Sequence, residues 1–461
     1  MLSDSANSKS IDRDLFENMP VVRAVVHFVV PALLSSLITI IYSMADAYFV
    51  GMIGDPNQLA ALSVAFPLYQ YLQGFANLWG IGTNSVVSRA LGAKNYKKAI
   101  SSSQTGFWGG FAFALIVSFG YYFFGEELAV LAGADLQSFI YAKKYIFWTI
   151  VLGGLPTVLS VVMCNELRSV GYAREAGLGL SIGGIVNFFL DAILVMGFDG
   201  DVEGVAIATF ISSCISLLYF YSIYTTHCKN SYIQVSTDMS LFSCGCLFEI
   251  ITTGLPSAVL SLLGATGNVV QNMLYTKYGN AVMAGWGVVN RICFISIYST
   301  HGIMQGILPL VAYNYAAANY QRVKSTIKVA AKMLLTIAVI VLIASECFPE
   351  AIIRMFIDDS STIQGGAVVM RCYMLATPFM CAVLSVSTLF QAIGKWKHAL
   401  VLLSMRQLLL NIPLTLLLEH YFYLRGVAMG QFCCDFITTF FAIILFNRKF
   451  ITKNTTKDLK I

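Results

Sequence analysis

Residues 21–50 read VVRAVVHFVVPALLSSLITIIYSMADAYFV, and this stretch decides the fold class. Apart from Arg23, His27 and Asp46, it consists of apolar, small or hydroxyl-bearing residues. As an α-helix it would be about 45 Å long, which exceeds the roughly 30 Å thickness of a bilayer's hydrocarbon core. The stretch therefore predicts a helix that spans a membrane.

The rest of the chain repeats this pattern. Of its 461 residues 57% are hydrophobic and 11% are charged, against roughly 25% charged residues in an ordinary soluble domain. Backbone polar groups have no water to bind in lipid, so each apolar run is expected to be helical. We predict an all-α integral membrane protein with twelve transmembrane helices. The predicted spans are 21–50, 58–87, 99–124, 138–166, 176–198, 203–225, 246–275, 281–313, 326–348, 365–390, 397–418 and 424–446.

Lysine and arginine are concentrated in alternate connections between these spans, for example around residues 89–98, 168–174 and 322–328. Under the positive-inside rule, this places both termini in the cytoplasm of a multi-pass protein of the cytoplasmic (inner) membrane. The net charge of +5 is thereby explained as a topology signal. It does not call for a nucleic-acid partner.

The two halves of the chain resemble each other at a separation of roughly 225 residues, a feature to be sought before any motif. The matched pairs are Pro31 with Pro256, Asn95 with Asn319, and Gly171 with Gly394. Each half holds six spans that start from the same side. We therefore predict two pseudo-symmetric lobes, residues 1–230 and 231–461, with the substrate bound between them near mid-membrane.

Three segments carry a family resemblance: YSMADAYFVGMIG, VSRALGAKNYKKA and NELRSVGYAREA. They resemble MATE (multidrug and toxic compound extrusion) transporters, and NFFLDAILVMGF in the fifth span is similar to the DinF-like and MepA-like branch. The resemblance implies a V-shaped pair of lobes that exports organic cations or amphipathic drugs in exchange for H⁺ or Na⁺. It also implies that the protein is a monomer surrounded by membrane lipids, and that it needs no cofactor other than that ion.

Two carboxylates inside predicted spans are functional candidates, because an ionised carboxylate in a bilayer costs at least roughly 2.5–3.5 kcal/mol. Asp46 is near the end of the first span, with Tyr42 one turn earlier on the same face. Asp191 is in the fifth span, with Asn187 four residues before it. Such residues suit either a small cation or a shared proton. The alternative is structural: Asp46 caps the following loop and Asp191 bonds a neighbouring helix.

The resemblance extends this set. It implies that Asp46 and Asp191 are the family's two acids of the first lobe and that Asn187 is the accompanying amide. It also implies roles for Asn165 in the fourth span and Thr209 in the sixth. A sodium site formed by these five residues is one expectation, and a proton site is the other.

The second half lacks counterparts of the two acids. The repeat places Gln271 opposite Asp46, and Pro413 or Leu414 opposite Asp191. We therefore expect coupling to reside in the first half. Asp435 in the last span is a third candidate, and a structural hydrogen bond or a pair with Arg406 is the favoured alternative. Arg291 and Arg406 either line the pathway or pair with another helix.

Pro31 removes one backbone hydrogen bond within an apolar helix and permits a bend. A gating role through two shapes of the first helix is one expectation. A proline without such a role is the other.

Other functions are less compatible with the sequence. A flippase for lipid-linked precursors shares the two-lobed plan, but such proteins tend to have several cavity arginines, whereas this first half has a carboxylate-centred site. An intramembrane enzyme is disfavoured because neither paired histidines nor an HExxH motif occurs. A channel is disfavoured because the repeat predicts two lobes and not a pore-loop filter.

Overall fold

The computed structural model describes residues 13–53, 55–133, 137–197, 201–227, 231–233 and 238–448. Within these ranges the regular secondary structure is helical, and no strand occurs. The helices are α1 (Arg13–Glu17), α2 (Val21–Ile53), α3 (Pro56–Gly92), α4 (Tyr96–Leu131), α5 (Ser138–Ile146), α6 (Gly154–Ser169), α7 (Ala173–Ala192), α8 (Val202–His227), α9 (Cys244–Thr276), α10 (Asn280–Ala316), α11 (Tyr320–Cys347), α12 (Pro349–Arg354), α13 (Ser360–Met374), α14 (Thr377–Ala392), α15 (Trp396–Ser404) and α16 (Asn411–Phe446). Short π-helical turns follow α5, α7 and α15 at Phe147–Leu152, Ile193–Gly197 and Met405–Leu409, and a 3₁₀ turn covers Met239–Leu241.

Helical segments occupy all twelve predicted ranges. By length and hydropathy, the described residues form eight candidate membrane spans, or up to ten when each of two bent helix pairs counts as one. The difference from twelve has two sources. Helix α3 carries buried polar residues such as Asn84 and Ser85. Residues 396–446 count as one span although a kink at Tyr423, inside α16, separates the two predicted ranges. The count of twelve stays a prediction. So does the side of the termini, whose residues 1–12 and 449–461 lie outside the described residues.

The two bent pairs occupy equivalent places in the halves. The segment Ser138–Leu152 meets α6 at 45°, and α13 meets α14 at 45°. In both cases a proline, Pro156 or Pro378, is in the first turn of the second helix. Proline is tolerated there because the first helical N–H groups have no intrahelical acceptor, and it disfavours continuation of the preceding helix.

The matched loop positions of the repeat have matching backbone geometry. Asn95 and Asn319 each accept a hydrogen bond from the backbone N–H three residues later and so cap α4 and α11. Gly171 and Gly394 both have positive φ, +107° and +75°, which favours glycine because it has no Cβ. The same local sequence therefore builds the same connection in each half.

The halves meet where α2 and α3 pack against α9 and α10. Backbones approach closely in this seam: a methyl group added at Gly254 would overlap the carbonyl oxygen of Leu78, and one added at Gly82 would overlap that of Ile250. Small residues allow such contact between membrane helices. These contacts join the second half of α3 to the first half of α9, and nearer the end of α3 Arg89 forms an ion pair with Glu249 of α9 at 3.2 Å.

Candidate cation-binding site

Asp46 on α2 and Asp191 on α7 lie next to each other, because α7 packs along α2. Asp191 is fully buried, and Asp46 is partly exposed but has one buried carboxylate oxygen. The two carboxyl groups are close enough to interact electrostatically. Two ionised carboxylates at such range repel each other, so the pair favours uptake of a proton or a cation.

Protein donors do not compensate this pair. Neither carboxylate oxygen of Asp191, nor Oδ1 of Asp46, accepts a hydrogen bond from the described residues. No Lys or Arg among those residues forms an ion pair with either acid. A buried charge without a partner is strongly unfavourable. The pair therefore has the arrangement of a site that takes up a proton or a small cation.

Asn187, on the same helix as Asp191, provides an amide oxygen one turn from that acid. Asn187 is 1% exposed, and its Nδ2 donates to Oγ1 of Thr209 at 3.4 Å. The Thr209 hydroxyl in turn donates to the backbone oxygen of Val205 at 3.1 Å. Oδ1 of Asn187 is left without a donor among the described residues, so it can serve as a ligand.

Asn165 differs from the other predicted residues. Its Oδ1 accepts from Asn84 on α3 at 3.4 Å, and its Nδ2 donates to the backbone oxygen of Val161 at 2.9 Å. Both ends of the amide are thus engaged with α3 and α6. The structure brings together Asp46, Asp191, Asn187, Thr209 and Tyr42, whereas the hydrogen bonds of Asn165 are directed elsewhere.

Four tyrosines surround this cluster closely enough to interact electrostatically: Tyr42, Tyr69, Tyr145 and Tyr298. Only Tyr42 is a residue that the sequence singles out. Tyr145 lies close to Thr209, and Tyr298 comes from α10 in the other half of the chain. Aromatic residues are frequent in apolar helices, so the sequence carries no signal that separates these from ordinary packing residues.

A cavity lies one helical turn from the two acids, neither of which is among its lining residues. It is lined by Tyr42, Tyr69, Asn187 and Thr209 together with hydroxyl and amide side chains. The further polar lining residues are Thr39, Gln73, Thr157, Ser160, Ser212, Ser213 and Ser216. The cavity therefore combines aromatic faces with neutral polar groups, one helical turn away from the two carboxyl groups.

Pro31 lies within α2, which is continuously helical from Val21 to Ile53. The helix packs against α7 here, because a methyl group at Gly177 would lie 2.6 Å from Cβ of Pro31. In this conformation α2 passes Pro31 without a break. The proposed second shape of the helix stays a prediction.

Glu166 is a buried carboxyl group that the sequence reasoning missed. It is fully buried on α6, and its Oε2 accepts from Ser103 at 3.0 Å and from the hydroxyl of Tyr224. Its Oε1 has no donor among the described residues. The cost of an acid inside a span is the signal that could have identified it.

In the second half, the predicted pair of Asp435 and Arg406 is confirmed. Nε of Arg406 donates to Oδ1 of Asp435 at 2.6 Å, and Gln431 donates to Oδ2 at 2.8 Å. Gln431 in turn accepts from Asn411 at 2.6 Å. This carboxylate is satisfied, unlike Asp191, so its arrangement is structural. Arg291 is exposed, and its role stays open.

A family model described as MatE matches residues 31–193 and matches again over residues 256–417. Together these segments cover more than half of the chain. The chain belongs to the MatE family. Each match falls inside one of the two predicted halves.

Curated relatives and solved structures agree with membership in the MatE family. The multidrug export protein MepA of Staphylococcus aureus strain N315 is 27% identical over 93% of this chain and 94% of its own length. MepA of Staphylococcus saprophyticus is 26% identical over the same shares of the two chains. An outward-facing multidrug resistance MATE family transporter superposes with a TM-score of 0.89 at 21% identity, covering 97% of this chain and 99% of that one. A MATE structure in the straight conformation gives a TM-score of 0.90 at 21% identity, covering 97% and 100%.

The MatE fold and the candidate spans identify a multi-pass membrane protein. Related proteins are named as exporters and the solved structures as transporters. The predictions of a MATE-like all-α fold and of a transporter, as opposed to an enzyme, are thereby confirmed.

Proposed function

We propose that this protein is a secondary antiporter that exports amphipathic or cationic organic compounds in exchange for H⁺ or Na⁺. The observation that carries the proposal is the pair of Asp46 and Asp191, whose three buried carboxylate oxygens have neither a hydrogen-bond donor nor a cationic partner among the described residues. Relatives named multidrug export proteins support the class of substrate. The protein would act as a monomer in the cytoplasmic membrane, with both termini in the cytoplasm.

The oxygen atoms around the acids fit a small hard cation. Two carboxylates, the free Oδ1 of Asn187 and the hydroxyl of Thr209 supply the oxygen ligands that such ions prefer. The same carboxyl pair can instead hold one shared proton. Asn165 would contribute only after its hydrogen bond with Asn84 breaks.

The adjoining cavity suits the organic cation. Its walls combine aromatic, hydroxyl and amide side chains. Faces of Tyr42 and Tyr69 attract positive charge through cation–π contacts, and the acids lie one helical turn from the cavity. Organic cation and coupling ion would therefore compete for the same negative charge.

Alternating access would come from rocking of the two halves about their seam. The close contacts of α3 with α9, and the Arg89–Glu249 ion pair, lie at the end of the bundle that the positive-inside rule assigns to the cytoplasm. This packing supports an outward-open arrangement. Tyr298 would link the motion to the first half, because it lies on α10 close to Tyr42 and Tyr69.

The test is ethidium efflux from proteoliposomes with imposed proton and sodium gradients, each applied alone. We expect one gradient to drive transport in the wild type, and we expect Asp46→Asn to reduce it at least tenfold. Asp358→Asn, an exposed loop acid, is the matched control and should transport normally. If no gradient drives export of any organic cation, the proposal fails and a flippase for lipid-linked precursors becomes the better account.

A further inference from the structure

A second, smaller cavity lies mainly in the other half of the chain, between α10 and α14. Ile81 of α3, Ser257 and Leu260 of α9 and Leu403 of α15 complete its walls. Its polar lining consists of hydroxyl, amide and imidazole side chains from these helices. None of its lining residues is an acid, in contrast to the aspartates beside the first cavity.

Ser387 is an unsatisfied polar group in this lining. The residue is 2% exposed, and its Oγ has no hydrogen-bonding partner among the described residues. A buried hydroxyl without a partner costs about 1–3 kcal/mol. Neighbouring hydroxyls on the same cavity wall are satisfied, since Thr388 donates to the backbone oxygen of Leu384 at 3.0 Å. Ser387 is therefore available to a bound molecule.

Gln305 is held so that its amide nitrogen is free. Nη1 of Arg168, from the first half of the chain, donates to Oε1 of Gln305 at 2.6 Å. Because the oxygen is engaged by a guanidinium group, the NH₂ group is the part of the amide that remains for the cavity. Arg168 is itself 2% exposed, so it places positive charge directly behind this donor.

Two further side chains add to the donor capacity. His301 lines the cavity on α10 and carries at least one N–H in either tautomer. The hydroxyl of Ser257 accepts from Nε2 of Gln391 at 2.9 Å, which leaves its own proton to donate. Ser257, His301, Gln305 and Ser387 thus offer donors on three helices around one space.

We propose that this cavity binds a carboxylate group of an organic solute. The donors would satisfy its two oxygens, and the absence of an acid from the lining removes the repulsion that an anion would meet beside Asp46 and Asp191. Charge-assisted hydrogen bonds make a carboxylate a better ligand here than a neutral carbonyl group. That such a solute is exported rests on the proposed function, but its binding does not.

The test uses two dyes that share one cationic ring system. Rhodamine 110 has a free carboxylate, and rhodamine 123 is its methyl ester. Binding to the purified full-length chain in detergent is measured by fluorescence polarisation. Ser387→Ala removes one donor, and Ser387→Val also fills part of the cavity. We expect the Kd of rhodamine 110 to rise about three- to tenfold in Ser387→Ala and further in Ser387→Val, whereas the Kd of rhodamine 123 changes less than twofold.

Ser385→Ala is the matched control on the same helix, because its hydroxyl donates to the backbone oxygen of Cys381 and does not line the cavity. It should leave both Kd values unchanged. Since Ser387 makes no hydrogen bond in the protein, Ser387→Ala should not lower the Tm, so weaker binding would not reflect misfolding.

The proposal is overturned if the wild type does not bind rhodamine 110, if both dyes weaken equally, or if Ser387→Val binds rhodamine 110 as the wild type does. These outcomes are independent of any gradient. Selective loss of rhodamine 110 binding in a protein that shows no gradient-driven efflux would retain the carboxylate site and reject the antiporter.

Discussion

Two buried aspartates of this MatE-family protein should respond oppositely to the same substitution. Asp435 is fully buried and accepts hydrogen bonds from Arg406 and Gln431. Asp191 is equally buried but accepts none from the described residues. Replacement by asparagine keeps the shape of each side chain and removes its charge. Only at Asp435 does this leave a buried cation, the Arg406 guanidinium, without its counterion.

Breaking a buried ion pair costs about 3–5 kcal/mol. One kcal/mol shifts Tm by about 2–4 °C in a chain of 150–250 residues and by less in a larger one. We therefore expect Asp435→Asn to lower the Tm in detergent by roughly 5 °C. The assay is thermal unfolding followed by reaction of exposed cysteines with a fluorogenic maleimide, which suits a chain with buried cysteines such as Cys293 and Cys434.

Asp191→Asn should leave the Tm unchanged or raise it, because the new amide can donate to Asp46. A paired replacement, Arg406→Met with Asp435→Leu, should recover much of the stability lost in Asp435→Asn, since apolar pairs often substitute well for buried ion pairs. A fall in Tm for Asp191→Asn as large as for Asp435→Asn would refute the distinction. Asp191 would then be a structural residue.

Three further predictions concern the helices. In α9, Gly254→Ala should lower the Tm and weaken contact between the halves, because its methyl group would overlap the α3 backbone. Gly267→Ala is the control: its methyl group would meet no atom within 4 Å, so the Tm should not change. Asn319→Ala should destabilise the start of α11 by about 1 kcal/mol, measured as a fall in Tm that Asn319→Asp does not show. Pro31→Ala restores a backbone hydrogen bond in α2, so the Tm should be unchanged or higher. Ethidium efflux should become slower. Unchanged efflux with an unchanged pH response would argue against a gating role.

The fold was largely predictable because its main constraint acts on every residue of a span. Membrane helices must be long and apolar, and this pattern is visible in residues 21–50 and in each later run. The internal repeat was visible for a related reason. Gly171 and Gly394 both have positive φ, a backbone conformation that favours glycine over other residues. The kink at Tyr423, with φ 52°, had no such signal, because a tyrosine does not indicate that conformation.

The site was predictable in part. Asp46 and Asp191 stood out because acids are costly in lipid, and Asn187 followed from helical spacing. That the two acids adjoin each other depends on how α2 packs against α7, which the sequence does not encode locally. The same limit applies to Tyr298, which reaches the site from the other half, and to Asn165, whose partner is Asn84 on α3.

The central claim is that one negatively charged site serves both the organic cation and the coupling ion. Equilibrium binding of ethidium to the purified protein, titrated separately with Na⁺ and with acid, tests it most directly. The account predicts that one of the two ions raises the apparent Kd of ethidium in proportion to its concentration in the wild type, and that Asp46→Asn binds ethidium weakly and without this dependence. Ethidium binding that neither ion alters in the wild type, and that Asp46→Asn retains at full strength, would contradict it.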